Sequence, residues 1–160
     1  MEHEKKLYHT IDFFFILSLL GIFVVTATLV IVIGANIYQS AVSSSKSDAN
    51  VRTALSYVTE KIHQNDRSQG ISVRSDNDMD LLLLHDTYQE TDYTTYIYAY
   101  KGTLRELTIR ASDTPDYDSG QVITEISDFS ILPERPGRFE LTAFGDEGKE
   151  LSAYVFSKSE

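Results

Sequence analysis

The side chains best equipped for chemistry are His3, His9, His63 and His85, set among serines, aspartates and tyrosines in 160 residues without a cysteine. A nucleophilic serine needs a base within hydrogen-bond reach and, in many hydrolases, a tight Gly-x-Ser-x-Gly turn. That turn does not occur, and neither does a Gly-rich phosphate loop or a His-Glu-x-x-His pair. His3 and His9 precede a long apolar stretch while His63 and His85 follow it, so a membrane would hold the two pairs apart. The expectation is a protein that is not an enzyme, with no catalytic residue and no cofactor. Asp76-Asn77-Asp78-Met79-Asp80 sets oxygen ligands at alternate positions, as calcium loops do. An EF-hand needs Gly and Glu at its sixth and twelfth places, where Leu81 and Thr87 stand. A solvated turn is the default here and at Asp116 and Asp118, with a calcium loop of another type as the alternative. Tyr96, Tyr98 and Tyr100 share one face of an alternating segment. They read either as an interaction surface for a partner, where tyrosine is enriched, or as a sheet face packed on its helix.

These residues are organised around the apolar stretch. No charge falls between Asp12 and Lys46. As a helix, residues 13–35 extend about 34 Å, and about 20 apolar residues suffice to span a bilayer. Ser18, Thr26 and Thr28 are its few hydroxyls, and each can bond back to the helix backbone. Lys5 and Lys6 stand before the span, whereas the first basic residues after it are Lys46 and Arg52. The positive-inside rule then puts residues 1–12 in the cytoplasm and the C-terminal domain outside the cell membrane. A cleaved signal sequence is the rival, but its apolar core runs to about 7–15 residues, and Ser40-Ala41-Val42-Ser43 matches a cleavage site only loosely. The net charge of −10 argues against direct binding of nucleic acid.

Beyond the span, residues 36–66 read as a stalk and an amphipathic helix. Val51, Leu55, Val58 and Ile62 form one stripe, Asp48 reads as its N-cap, and Asn65-Asp66 before Gly70 as its stop. The serine run 43–47 fits either a linker or the middle of one long helix. From residue 67 to 160 the period becomes that of strands. Leu81–Leu84 is a short apolar run, and Tyr96–Tyr100 turns at Lys101-Gly102 into a paired strand. Pro133, Pro136 and Gly137 break the chain, and Phe139–Ala143 pairs with Leu151–Phe156. The fold class is α+β: a transmembrane helix extended into or followed by an amphipathic helix packed on an antiparallel sheet of roughly six strands.

The N-terminus resembles that of type IV pilins and pseudopilins. Lys5-Lys6 stands before Tyr8, an acid follows four residues later at Asp12, and Gly21-Ile22-Phe23 comes nine residues after the acid. The family's leader glycine is replaced by Leu7 and its glutamate by Asp12. The resemblance therefore implies poor processing, with the first seven residues retained. It implies a minor structural subunit of a type IV pilus, type II secretion or DNA-uptake assembly. Tyr8, Asp12, Phe13 and Gly21 would make the membrane and assembly contacts, and the partners would be the bilayer, other pilin-like subunits and assembly platform proteins. The chain also resembles an uncharacterised group of small single-pass proteins of Gram-positive bacteria. That likeness implies a stand-alone anchor with an extracellular ligand- or partner-binding β domain.

Overall fold

A computed structural model describes residues 2–66, 70–76 and 78–157, leaving out the side chains of residues 2–11 and Glu147. Asn77 of the acidic turn and the side chain of Tyr8 thus lie outside the described residues. The chain divides into two compact units, Met1–Ser43 and Ser44–Glu160.

The first unit is helical, part of α1 (Glu2–Gln64). Its apolar side chains, Phe13 to Ile33, are exposed on every side, and the helix is long and apolar enough to cross a membrane. A helix uniformly apolar around its circumference suits an apolar surrounding rather than one side of a water-soluble core. Thr26 and Thr28 close their polar groups locally: Thr26 Oγ1 donates to Phe23 O at 2.9 Å and Thr28 Oγ1 to Val24 O at 2.8 Å.

In the second unit, α1 buries Val51, Ala54, Leu55, Val58 and Ile62, the expected stripe with one alanine added. The serines at 43–47 are helical. Asp48 is therefore no N-cap, a correction with a plain cause: a cap needs a non-helical residue, and upstream residues already continue the helix. Its carboxylate instead pairs with Lys149 Nζ at 3.0 Å. The C-terminal end falls where Asn65 was expected to stop it, with Asn65 N–H and Nδ2 both donating to Lys61 O at 3.1 and 3.0 Å.

Among the described residues eight strands follow: β1 (Ile71–Asp76), β2 (Met79–Tyr88), β3 (Thr91–Tyr100), β4 (Thr103–Arg110), β5 (Gln121–Glu125), β6 (Asp128–Arg135), β7 (Arg138–Phe144) and β8 (Glu150–Phe156). They form an antiparallel meander β1-β2-β3-β4-β5 and a second antiparallel sheet β6-β7-β8. The main core joins the α1 stripe to Leu82, Leu84, Ile97 and Leu104 of the first sheet. From the second sheet it takes Phe129, Ile131, Leu141, Ala143 and Val155. A second cluster, Leu81, Leu83, Tyr98 and Leu107, lies on the other face of the meander. All four leucines 81–84 are buried because both faces of β2 are covered, the condition under which a strand reads as a continuous apolar run. Asp80 ties the sheets together, its Oδ2 accepting from Ser130 Oγ at 2.9 Å and from Ile131 N–H at 3.2 Å.

Candidate functional site

Asp12, Phe13 and Gly21 all lie on the first-unit helix, and Asp12 and Phe13 are exposed. At about 3.6 residues per turn, Asp12 and Gly21 fall on opposite sides of the helix. A methyl group at Gly21 would meet nothing within 4 Å, so its own fold does not require that glycine.

The tyrosines are not a free surface. Tyr98 is 0 % exposed, and Tyr96 and Tyr100 are half-buried beside it. Nor do they pack on the helix, because it is Ile97 and Ala99 that face α1. The cover is the segment 111–120 between β4 and β5. Tyr98 donates its hydroxyl to Tyr117 O at 2.9 Å, and the two rings meet edge-on at 5.1 Å. Gly120 lies so close to the Tyr98 hydroxyl that a Cβ there would collide with it. Asp118 fastens the segment, pairing with Lys101 Nζ at 2.6 Å while its carbonyl accepts from Arg105 Nη1 at 2.8 Å. Tyr117 donates to Asp76 Oδ2 at 3.1 Å. Burial pushes the Tyr98 phenol up to about 12. Burial, then the Asp76 carboxylate, raises Tyr117, and the Lys101 hydrogen bond holds Asp118 below the usual carboxylate range.

The acidic turns therefore spend carboxylates on the protein itself: Asp76 on Tyr117, Asp80 on β6, Asp118 on Lys101. Asp116 Oδ1 accepts from Asp118 N–H at 3.1 Å. Among the described residues no cluster of three or more His, Asp or Glu is placed to hold a metal ion.

Two polar groupings join residues that sequence distance hid. Glu106 of β4 receives the Tyr57 hydroxyl and Lys61 Nζ (2.9 Å to Oε1), fastening α1 to the meander. Burial and the Glu106 carboxylate raise the Tyr57 phenol. His85 lies between Ser72 Oγ, 2.9 Å from Nε2, and Thr94 Oγ1, 3.3 Å from Nδ1. A Ser–His pair suggests a nucleophile and its base, but Nδ1 faces a hydroxyl here. A carboxylate in that place is what stabilises an imidazolium. The trio follows from strand register, since His85 pairs with Thr94 across β2 and β3.

An open groove of about 530 Å³ lies between α1 and β8. Arg52, Leu55, Ser56, Thr59 and Glu60 line one side, and Leu151, Ser152 and Ala153 the other. Its charged groups, Arg52 and Glu60, stand about two helical turns apart.

Neither a curated protein nor a solved structure matches the chain. A family model described as a domain of unknown function, DUF4860, matches residues 49–142, from the head-facing part of α1 into β7. That covers more than half of the chain, which therefore belongs to the DUF4860 family.

Proposed function

We propose that the protein is a membrane-anchored, pilin-like structural subunit, a minor component of a type IV pilus, type II secretion or DNA-uptake type of assembly. The supporting observation is the division of labour along α1. It is apolar on all sides over residues 13–35 and one-sided over Val51–Ile62, where it backs an antiparallel head. The apolar part occupies the bilayer, with Lys5 and Lys6 on the cytoplasmic side and the head outside. The work is assembly rather than chemistry. Neighbouring anchors pack along the helix, with Asp12 as the polar contact at its mouth.

The Asp12 carboxylate tests this. At the edge of the hydrocarbon it is tolerated near headgroups or beside a partner. Asp12 lies inside α1 rather than at its start, and Asn keeps the size and polarity of the side chain without its charge, so a merely local role leaves Asp12→Asn silent. A role between subunits means that the substitution lowers subunit-to-subunit crosslinking in membranes severalfold, while protease resistance of the head is retained. Unchanged crosslinking with an intact head removes Asp12 from assembly and leaves a stand-alone anchor carrying a binding head.

A further inference from the structure

Two sheets leave four edges: β1 and β5 on the meander, β6 and β8 on the second sheet. An open edge is a row of unpaired N–H and C=O groups ready to accept another chain, and proteins ordinarily blunt it. Three of the four edges here are blunted. β6 is blocked group by group. Its odd-numbered residues face away from β7, and Phe129 N–H is taken by Asp128 Oδ1 at 2.8 Å, Ile131 N–H by Asp80 Oδ2 at 3.2 Å, and Pro133 has no N–H. β5 has five residues, a register shift opposite it between Leu104 and Arg105, and Glu125 held by Lys46 at 2.6 Å. β1 has six residues, including Arg74 and Asp76.

β8 carries a charge only at its first residue, Glu150. It pairs with β7 in unbroken register from Glu150 to Phe156, and residues 151–156 contain no charge, proline or glycine. The bonds Ser157 N–H to Gly137 O (2.7 Å) and Gly145 N–H to Lys149 O (2.8 Å) fix the alternation. Leu151, Ala153 and Val155 exchange hydrogen bonds with β7, and the backbone groups of Ser152, Tyr154 and Phe156 point to the free edge. No side chain among the described residues caps them.

The groove borders the first half of that strand, at Leu151, Ser152 and Ala153. β8 lies beside α1 in the same direction, since Lys149 meets Asp48 at 3.0 Å at one end and Ser157 meets Asp66 at 2.6 Å at the other. The α1 wall carries a cation at Arg52, with no ion pair among the described residues, and an anion at Glu60. Eight residues of helix separate them, about 12 Å, which is the span of about four residues in a strand. On the opposite face of the edge, Tyr154 and Phe156 are 50 % and 62 % exposed. The Arg138 guanidinium stiffens them, 4.4 and 5.6 Å from their ring centres.

We propose that the free edge of β8 accepts an extended strand from a partner protein. Antiparallel entry carries that strand past Glu60 first and Arg52 last. The strand that fits has a cation and, about four residues later, a carboxylate on its α1 side, with apolar residues between them facing Tyr154 and Phe156. Main-chain bonds to Ser152, Tyr154 and Phe156 supply the attachment, and the two charges set direction and register.

The test uses the full chain in lipid nanodiscs and a capped probe peptide, Thr-Lys-Val-Thr-Val-Glu-Thr, with residue-resolved amide exchange as the readout. The expected result is exchange slowed by about tenfold or more at Ser152, Tyr154 and Phe156, with Leu151, Ala153 and Val155 unchanged. The peptide with Lys and Glu interchanged binds wild type weakly. It binds the exposed double variant Arg52→Glu/Glu60→Arg well, so that a charge swap rather than a folding defect carries the comparison. Three results overturn the proposal: no slowing with the probe, slowing confined to β1 or β5, or protection that grows with protein concentration alone. The last would make a second copy of this chain the occupant.

Discussion

At the scale of single residues, Tyr98 shows how a correct pattern can carry a wrong consequence. Alternation alone places Tyr96, Tyr98 and Tyr100 on one face, and they do share it. What covers that face is segment 111–120, whose turn residues mark a loop without saying where it lies. The same limit hid the Ser72–His85–Thr94 row, because cross-strand neighbours are set by register and register is not local. The covering segment gives Tyr98 a measurable signature. Its phenol is raised from 10.0 to about 12, so the folded state holds the proton more tightly than the unfolded chain. The associated stability is complete below about pH 10 and is lost as pH rises through about 12. Base-induced unfolding is therefore expected to accompany phenolate formation at Tyr98, and Tyr98→Phe to make the unfolding less steep between these limits. A phenolate titration of wild type against the variant checks this, and a Tyr98 that ionises near pH 10 in the folded protein contradicts it. Asp118 works in the opposite sense. Its lowered carboxyl stabilises the folded state above the usual Asp range, and that contribution fades as pH falls through the folded value.

At the scale of elements, the hairpin turns separate what the sequence signals from what tertiary structure imposes. Lys101-Gly102 turns with φ of 49° and 75° at its two central residues. Such a turn favours glycine, and it was legible in the sequence. Gln89-Glu90 adopts the same geometry, φ 47° and 63°, without a glycine or an asparagine to announce it. Two side-chain-bearing residues in the left-handed region are strained, and the long β2–β3 pairing holds them there. Replacing Gln89-Glu90 by Asn-Gly is expected to raise the unfolding free energy by about 1 kcal/mol. Denaturant melts of the head would show it, and an unchanged or lower midpoint would mean that the turn is not strained in solution. β1 was invisible for a related reason: Ile71 and Val73 are its only apolar residues, too few to signal a strand. The helix stripe could be read because burial repeats along α1 itself. The mistaken cap at Asp48 arose because a good capping residue can equally serve a distant lysine.

At the scale of the whole molecule, the two units call for separate measurements. Given the proposed orientation, protease added to intact protoplasts is expected to digest the chain beyond Ser40 and leave an anchor fragment. A fully protected head would reverse the orientation, because Lys5 and Lys6 are its main support. Within the second unit, the bonds that attach the end of the chain to α1 bear on time. Ser47 is buried and its hydroxyl receives Asp146 N–H across 99 residues of sequence; Lys149 and Ser157 reach back to Asp48 and Asp66 across 101 and 91. The first-made part of this unit is thus completed by the last-made. At about 5–20 residues per second of synthesis, the apolar stripe from Val51 to Ile62 waits about 5–20 s before β7 and β8 exist to complete the cover that the meander and β6 begin. Throughout that interval the stripe has at most the cover of the meander and β6, and any factor that escorts it must let go only as β7 and β8 arrive.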